Sequence, residues 1–95
     1  MFIISLTYKK PLDEVDKHIP AHTIFLDEGF KLGYFLASGR KDPRTGGIIL
    51  SNYPNRIALE IYIKSDPFYI HEIADYEIIE FIPTKFTKKF KSFVS

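Results

Sequence analysis

Hydrophobic and polar residues alternate over residues 2–8, and this period of two predicts a first β-strand. One side of that strand carries Phe2, Ile4, Leu6 and Tyr8. The other side carries Ile3, Ser5 and Thr7. The segment from Leu12 to Gly29 changes to helical spacing and has its acidic residues early. Because a proline inside a helix removes a hydrogen bond, we predict a short turn before Pro20 and a main helix that begins there. Gly29 or Gly33 would end that helix.

The middle of the chain predicts a β-hairpin. Gly33 to Ser38 and Ile48 to Ser51 form apolar runs typical of strands, and a polar loop rich in Gly and Pro, from Arg40 to Gly47, connects them.

Two helix starts follow the hairpin. Asn55 is a good N-cap for a helix that continues to about Ser65, and Asp66-Pro67 combines an N-cap with a proline at the first helical position. A second alternating run, from Asp75 to Ile82, predicts the fourth strand.

The predicted order β-α-β-β-α-β is the ferredoxin-like arrangement, an α+β fold in which two helices cover one face of a four-stranded antiparallel sheet. The apolar runs Tyr34–Leu36, Ile48–Leu50 and Ile78-Ile79 put hydrophobic side chains on both faces of that sheet. Since a bare apolar face of this size is unusual in a monomer, we predict a homodimer that packs sheet to sheet.

Composition indicates one small globular domain, predicted over residues 1–83. The chain has 95 residues, 45% of them hydrophobic, and no Cys. The lack of Cys excludes disulfide scaffolds and thiolate catalysis, and it fits a cytoplasmic protein. The first residues have no basic leader and predict a strand rather than a signal peptide, and no apolar run reaches the length of a membrane span.

The charge is divided unevenly along the chain. Residues 1–83 carry nine Lys/Arg and twelve Asp/Glu, a net charge of −3, whereas residues 84–95 carry four Lys and no acid. Phe86, Phe90 and Phe93 have helical spacing and predict an amphipathic tail helix that docks on a partner or on the body. Contact of the tail with nucleic acid or a membrane is the alternative, but the acidic body disfavours RNA binding by the sheet.

Several short segments together resemble the YCII-related (YciI-like) family over nearly all of residues 1–83. They are the first strand, Ala21-His22 with Phe25-Leu26, Phe35–Gly39, Pro43–Gly47, Asp66–Phe68 and Glu80–Thr84. The resemblance implies a dimeric α+β barrel and a catalytic histidine and aspartate, which match His22 and Asp66. The few activities in the family concern small molecules and include removal of chloride from a hydroxylated aromatic ring. Where many members have Gly-Pro, this chain has Gly39-Arg40, which adds a cation near the expected pocket.

His22 and Asp66 each have a functional and a structural interpretation. A histidine beside a carboxylate can act as a general base, but a core histidine can equally satisfy a backbone carbonyl. An aspartate before proline can orient that histidine or can simply cap a helix. One carboxylate oxygen could accept from the backbone while the other faces the imidazole.

The predicted substrate-binding residues are Ser38, Arg44, Gly46 and Phe68. Arg44 and the backbone N–H groups of the following glycines could bind an anionic or phenolate substrate, or the segment could be an ordinary hairpin loop. Ser38 could donate a hydrogen bond into the pocket or merely end a strand.

Neither a metal nor another cofactor is predicted. His18 and His22 have a spacing that can bind metal on a helix, but Pro20 lies between them and His71 is distant in sequence. No serine lies in a nucleophile-elbow pattern.

Two functions remain open at this stage. In the first, the protein is a lyase, isomerase or dehydrochlorinase-like enzyme in which His22 moves a proton, Asp66 orients it, and Arg44 and Ser38 bind an aromatic or oxygen-rich substrate. In the second, it is a ligand-binding or scaffold protein of the same fold without catalysis. The sequence does not identify the substrate.

Overall fold

A computed structural model describes residues 1–94. In chain order its elements are β1 (Phe2–Tyr8), α1 (Leu12–Lys31), β2 (Phe35–Arg40), β3 (Gly46–Ser51), α2 (Arg56–Ile63), α3 (Pro67–Ile70), β4 (Ala74–Glu80) and a 3-10 helix (Lys88–Phe93).

The four strands form one antiparallel sheet in the order β2-β3-β1-β4. Side chains from alternate positions of β1 form a core with residues of all three α-helices; these are Phe2, Ile4, Leu6, Val15, Phe25, Leu59, Ile63 and Phe68. The helices therefore cover one face of the sheet, and the prediction of a ferredoxin-like α+β fold is confirmed.

Helix α1 runs through Pro20 without a break, so the prediction of a helix that begins at Pro20 is wrong. Proline costs about 3 kcal/mol relative to alanine in a helix interior. Val15 and Phe25, one on each side of the proline, are both buried and attach both halves of the helix to the sheet. Pro20 itself faces solvent. Tertiary packing thus outweighs the local penalty.

The two candidate glycines at the end of α1 have different roles. Gly33 follows the helix with a φ of 81°, the left-handed conformation that favours glycine. Gly29 is buried inside the helix, where a Cβ would lie 2.2 Å from Cδ2 of Phe35. Gly33 therefore ends the helix as predicted, whereas Gly29 allows α1 to pack closely on β2.

The hairpin between β2 and β3 is tighter than predicted. Strand β2 continues to Arg40 and β3 begins at Gly46, which leaves residues 41–45 as the loop. Gly46 pairs with Thr7 and Gly47 with Leu6 of β1. Both glycines belong to the sheet. The missing side chain of Gly46 permits a close approach of β1, whereas a Cβ at Gly47 would lie 3.2 Å from the backbone oxygen of Gly39 on β2.

Both predicted helix caps are present. The Asn55 side chain accepts a hydrogen bond from the Ala58 N–H at 2.8 Å, and that of Asp66 accepts from the Phe68 N–H at 3.0 Å. Helix α2 ends at Ile63, two residues before the predicted end, and β4 ends at Glu80 rather than at Ile82.

The sheet face opposite the helices is not covered by α1, α2 or α3, and it carries exposed apolar side chains. Ile48 is 37% exposed and Ile79 is 45% exposed on this face. The tail forms a 3-10 helix with no buried residue rather than the predicted amphipathic α-helix. Ser95, the last residue of the predicted tail, lies outside the described residues. Within residues 1–94 no helix has the length and apolar character that crossing a membrane requires.

Candidate active site

A cavity of about 200 Å³ lies between α1 and the ends of β2 and β3 that meet at their loop. Its walls are mostly apolar, from Leu6, Ile19, Leu26, Ile49 and Phe68, and its polar side chains include those of His22, Thr23, Ser38 and Arg40. An apolar cavity with a few convergent polar groups is the usual form of a small-molecule site.

His22 reaches this cavity from the middle of α1. Its Nδ1 lies 2.7 Å from Oδ1 of Asp66, and its side chain is 12% exposed. The imidazole stacks on the Phe68 ring with a centroid separation of 3.9 Å and an interplanar angle of 2°. Because an ionised carboxylate only accepts hydrogen bonds, Nδ1 carries the proton and Nε2 of the neutral ring has a free lone pair.

Asp66 is fully buried just before α3, and three donors share its carboxylate. The imidazole of His22 and the backbone N–H of Phe68 both bond to Oδ1, and the Tyr76 hydroxyl donates to Oδ2. Capping and contact with the histidine therefore coexist, as the sequence allowed, but on one oxygen rather than divided between the two.

Tyr76 is the member of this network that the sequence did not identify. It lies on β4 directly opposite Leu6, so its ring points to the helix-covered face. Burial, followed by the neighbouring carboxylate of Asp66, raises the pKa of Tyr76 far above its ordinary value. Its hydroxyl therefore stays protonated and donates to Asp66. The alternation of β4 indicated the face of Tyr76, but no sequence signal indicated its partner.

The structure gathers four of the six predicted site residues. Ser38 and Phe68 line the cavity with His22, and Asp66 lies behind the imidazole. The other two lie elsewhere.

Arg44 and Gly46 are outside the cavity lining. Arg44 donates from Nη2 to Oδ1 of Asp16 at 2.5 Å, and this contact raises the pKa of Arg44. Gly46 is buried in β3, where a Cβ would lie 1.7 Å from the backbone oxygen of Leu6. Both residues thus have a structural role, and the sequence alone could not distinguish that role from ligand binding.

Arg40 lines the cavity instead of Arg44. The sequence indicated this cation through the departure from Gly-Pro, although Arg40 was not among the predicted binding residues. Thr23 also lines the cavity, and its exposed position on an amphipathic helix gave no signal.

His18 points away from the cavity and stacks on His71 with ring centroids 4.4 Å apart. The helix is not broken at Pro20, and His71, although distant in sequence, lies beside His18 in the fold. Neither argument against a metal site is therefore correct. Even so, across the residues that the structure describes, no group of three or more His, Cys, Asp or Glu side chains could hold a metal ion.

The fold and the site define a small ferredoxin-like α+β domain with a buried histidine–aspartate pair beside an apolar cavity. The family profile of the YCII-related domain matches residues 1–82. The chain therefore belongs to the YCII-related domain family, which confirms the resemblance found in the sequence. No curated protein sequence matches the chain.

One solved structure with a similar fold is 5-chloro-2-hydroxyhydroquinone dehydrochlorinase (TftG) from Burkholderia phenoliruptrix AC1100, in complex with 2,5-dihydroxybenzoquinone. The match covers 85% of this chain and 93% of the dehydrochlorinase chain, with a TM-score of 0.69 and 14% sequence identity. At this identity the similarity establishes a shared α+β fold and no more.

Proposed function

We propose that the protein is a small-molecule enzyme that uses His22 for general acid–base chemistry. The observation that carries the proposal is the 2.7 Å contact between Nδ1 of His22 and the buried carboxylate of Asp66. This contact fixes the tautomer that leaves Nε2 as a proton acceptor, and the ring that bears Nε2 lines the cavity.

Asp66 would act on the histidine and not on the substrate. Its carboxylate stabilises the imidazolium that forms when Nε2 takes a proton, as a buried aspartate does in other histidine-based sites. The Tyr76 hydroxyl and the Phe68 N–H hold the carboxylate in place. Burial of the Asp66 carboxylate strengthens these electrostatic contacts.

Lyase, isomerase or dehydrochlorinase-like reactions fit this arrangement, because each requires a proton to be removed from or returned to the substrate. The dehydrochlorinase of similar fold binds 2,5-dihydroxybenzoquinone, a single oxygenated ring. An engineered apolar cavity of about 150 Å³ holds benzene. The cavity of about 200 Å³ in this chain is therefore large enough for one ring with a small substituent.

Chloride release from 5-chloro-2-hydroxyhydroquinone, followed by ion chromatography, tests the proposal. We expect turnover by the wild-type protein and a loss of about 10²- to 10⁴-fold in His22→Asn, the range that general acid–base catalysis contributes. His18→Asn is the matched control, since it removes an imidazole one helical turn away that does not line the cavity. Circular dichroism and urea unfolding check the fold of both variants.

Turnover that survives in a folded His22→Asn protein would contradict the role of His22. If 2,5-dihydroxybenzoquinone shifts the NMR signals of His22 and Thr23 but the chlorinated ring is not converted, the result favours a ligand-binding protein without catalysis.

We also propose that the protein is a homodimer that buries the open sheet face. The exposed Ile48 and Ile79 lie on that face, and a dimer interface of standard size would cover about 800 Å² of each partner. Sedimentation velocity is expected to show a dimer for the wild type and a monomer for Ile79→Asp. Ile57→Asp, on α2 and 73% exposed, is expected to remain dimeric. A monomeric wild type, or dissociation by Ile57→Asp alone, would contradict this interface.

A further inference from the structure

We infer that Arg40 is the anion-binding residue of the cavity and that the cavity prefers small carboxylates with one ring or a short apolar chain. This inference rests on the proposed function, whose site it makes more specific. It assigns to Arg40 the role that the sequence had suggested for Arg44.

The strand register places Arg40 on the helix-covered face of the sheet. Arg40 pairs with Gly47 of β3, and Gly47 pairs with Leu6 of β1. Residues directly opposite each other in a sheet share a face, and Leu6 is 2% exposed beneath the helices. Ser38, two residues earlier on β2, shares this face. Arg40 and Ser38 therefore project toward the same cavity.

Gly47 keeps the space beside Arg40 open. It lies between Arg40 and Leu6 in the register and contributes no side chain to the cavity wall. A larger residue there would add a side chain to the cavity wall next to Arg40. A ligand can consequently approach Arg40 along the sheet surface while its apolar part contacts Leu6 and Ile49.

Arg40 has no competing partner within the described part of the chain. Of the residues that line the cavity, it alone carries a permanent charge, and residues 1–94 supply no carboxylate within ion-pair distance of it. Arg44, by contrast, is engaged by Asp16, and Lys41 donates to the Thr7 hydroxyl. The unpaired guanidinium of Arg40 is thus available to a ligand.

The chemistry of the cavity selects a carboxylate with an apolar body. A guanidinium binds a carboxylate through two parallel hydrogen bonds, and the Ser38 hydroxyl can donate a third. Phe68 and Leu26 provide apolar surface for a ring or chain. The anion would lie at Arg40, and the adjoining carbon atoms would extend toward His22, whose Nε2 is the proton acceptor.

Ligand titrations followed by NMR test this inference, with the signals of His22 and Thr23 reporting cavity binding. The probes are benzoate and its neutral analogue benzamide. We expect the wild type to bind benzoate about 10-fold or more tightly than benzamide, because charge-assisted hydrogen bonds are about twice as strong as neutral ones. Arg40→Gln should abolish this preference and leave benzamide binding unchanged. Arg40→Lys should retain part of it, since the charge remains but the planar fork is lost.

Arg44→Gln is the matched control, because it removes a nearby arginine that does not line the cavity, and it should keep the preference for benzoate.

Two results would overturn the role of Arg40 but leave the proposed acid–base site intact. One is equal binding of benzoate and benzamide by the wild type, and the other is an equal loss of the preference for benzoate in Arg44→Gln and Arg40→Gln. If neither probe affects His22 or Thr23 at millimolar concentration while chloride release depends on His22, the carboxylate class is wrong and the proposed function stands. If chloride release is also absent, both fail.

Discussion

Asp66→Ala is expected to lower the free energy of unfolding by about 3–5 kcal/mol, because a donor that loses its buried acceptor costs about 1–3 kcal/mol and Asp66 accepts from three donors. Asp66 is fully buried and accepts hydrogen bonds from His22, Tyr76 and the Phe68 N–H. Alanine leaves all three donors without this acceptor, and the Phe68 N–H is itself buried. Urea unfolding followed by circular dichroism measures the change.

Asp75→Ala is the matched control for this experiment. Asp75 is also an aspartate with one basic partner, Lys9 at 3.2 Å, but its side chain is 74% exposed. An exposed pair of this kind contributes less than about 1 kcal/mol, so the control should change the stability little. Equal losses in the two variants would show that the Asp66 network does not stabilise the fold in the way described.

Asp66→Asn separates the charge of the carboxylate from its hydrogen bonds. The carbonyl oxygen of asparagine can take the place of Oδ1, which accepts from the Phe68 N–H and from Nδ1 of His22, and its NH₂ group then faces the Tyr76 hydroxyl. Long-range ¹H–¹⁵N spectra of the imidazole at a pH where His22 is neutral should therefore show protonation at Nδ1 in both folded proteins. Protonation at Nε2 in the wild type would mean that Asp66 does not orient His22.

Gly46→Ala is expected to destabilise the protein by about 3 kcal/mol or more, at or beyond the upper end of typical overpacking effects. A Cβ at this position would lie 1.7 Å from the backbone oxygen of Leu6 and 2.7 Å from its carbonyl carbon. Backbone atoms of a paired strand cannot rotate away as a side chain can. The clash can be relieved only if β1 and β3 separate, which would disturb the centre of the sheet.

Gly39→Ala provides the comparison, because a Cβ there meets no atom within 4 Å and its free energy of unfolding should change by less than about 1 kcal/mol. Chemical denaturation of the two variants measures the difference. If Gly46→Ala is as stable as Gly39→Ala, the glycine is not required by strand approach, and the ligand-binding role that the sequence suggested for Gly46 returns to consideration.

Arg44 and Arg40 show where sequence reasoning about the site succeeded and where it did not. Both are arginines close to glycines in the same hairpin, and nothing in their immediate neighbours distinguishes them. The register of β2 and β3 turns Arg40 toward the cavity, whereas Asp16 on α1 engages Arg44. Register depends on the pairing of distant strands, and the local pattern does not encode it uniquely.

Pro20 shows the same limit for secondary structure. The local rule that proline disrupts a helix interior is sound, but it concerns a few kcal/mol that burial of Val15 and Phe25 outweighs. The residues that surround Pro20 in the sequence do not indicate this packing.

The sequence by itself determined the features that depend on local chemistry. Alternation set the face of β1, Asn55 and Asp66 capped their helices as their short polar side chains allow, and the order of elements led to the ferredoxin-like fold. Only the tertiary structure decided which side chains meet, because the contact between His22 and Asp66 spans 44 residues and that of Asp66 with Tyr76 requires the finished sheet. Local preferences act through neighbouring atoms, whereas a buried polar network exists only where the whole chain excludes water and brings its donors and acceptor together.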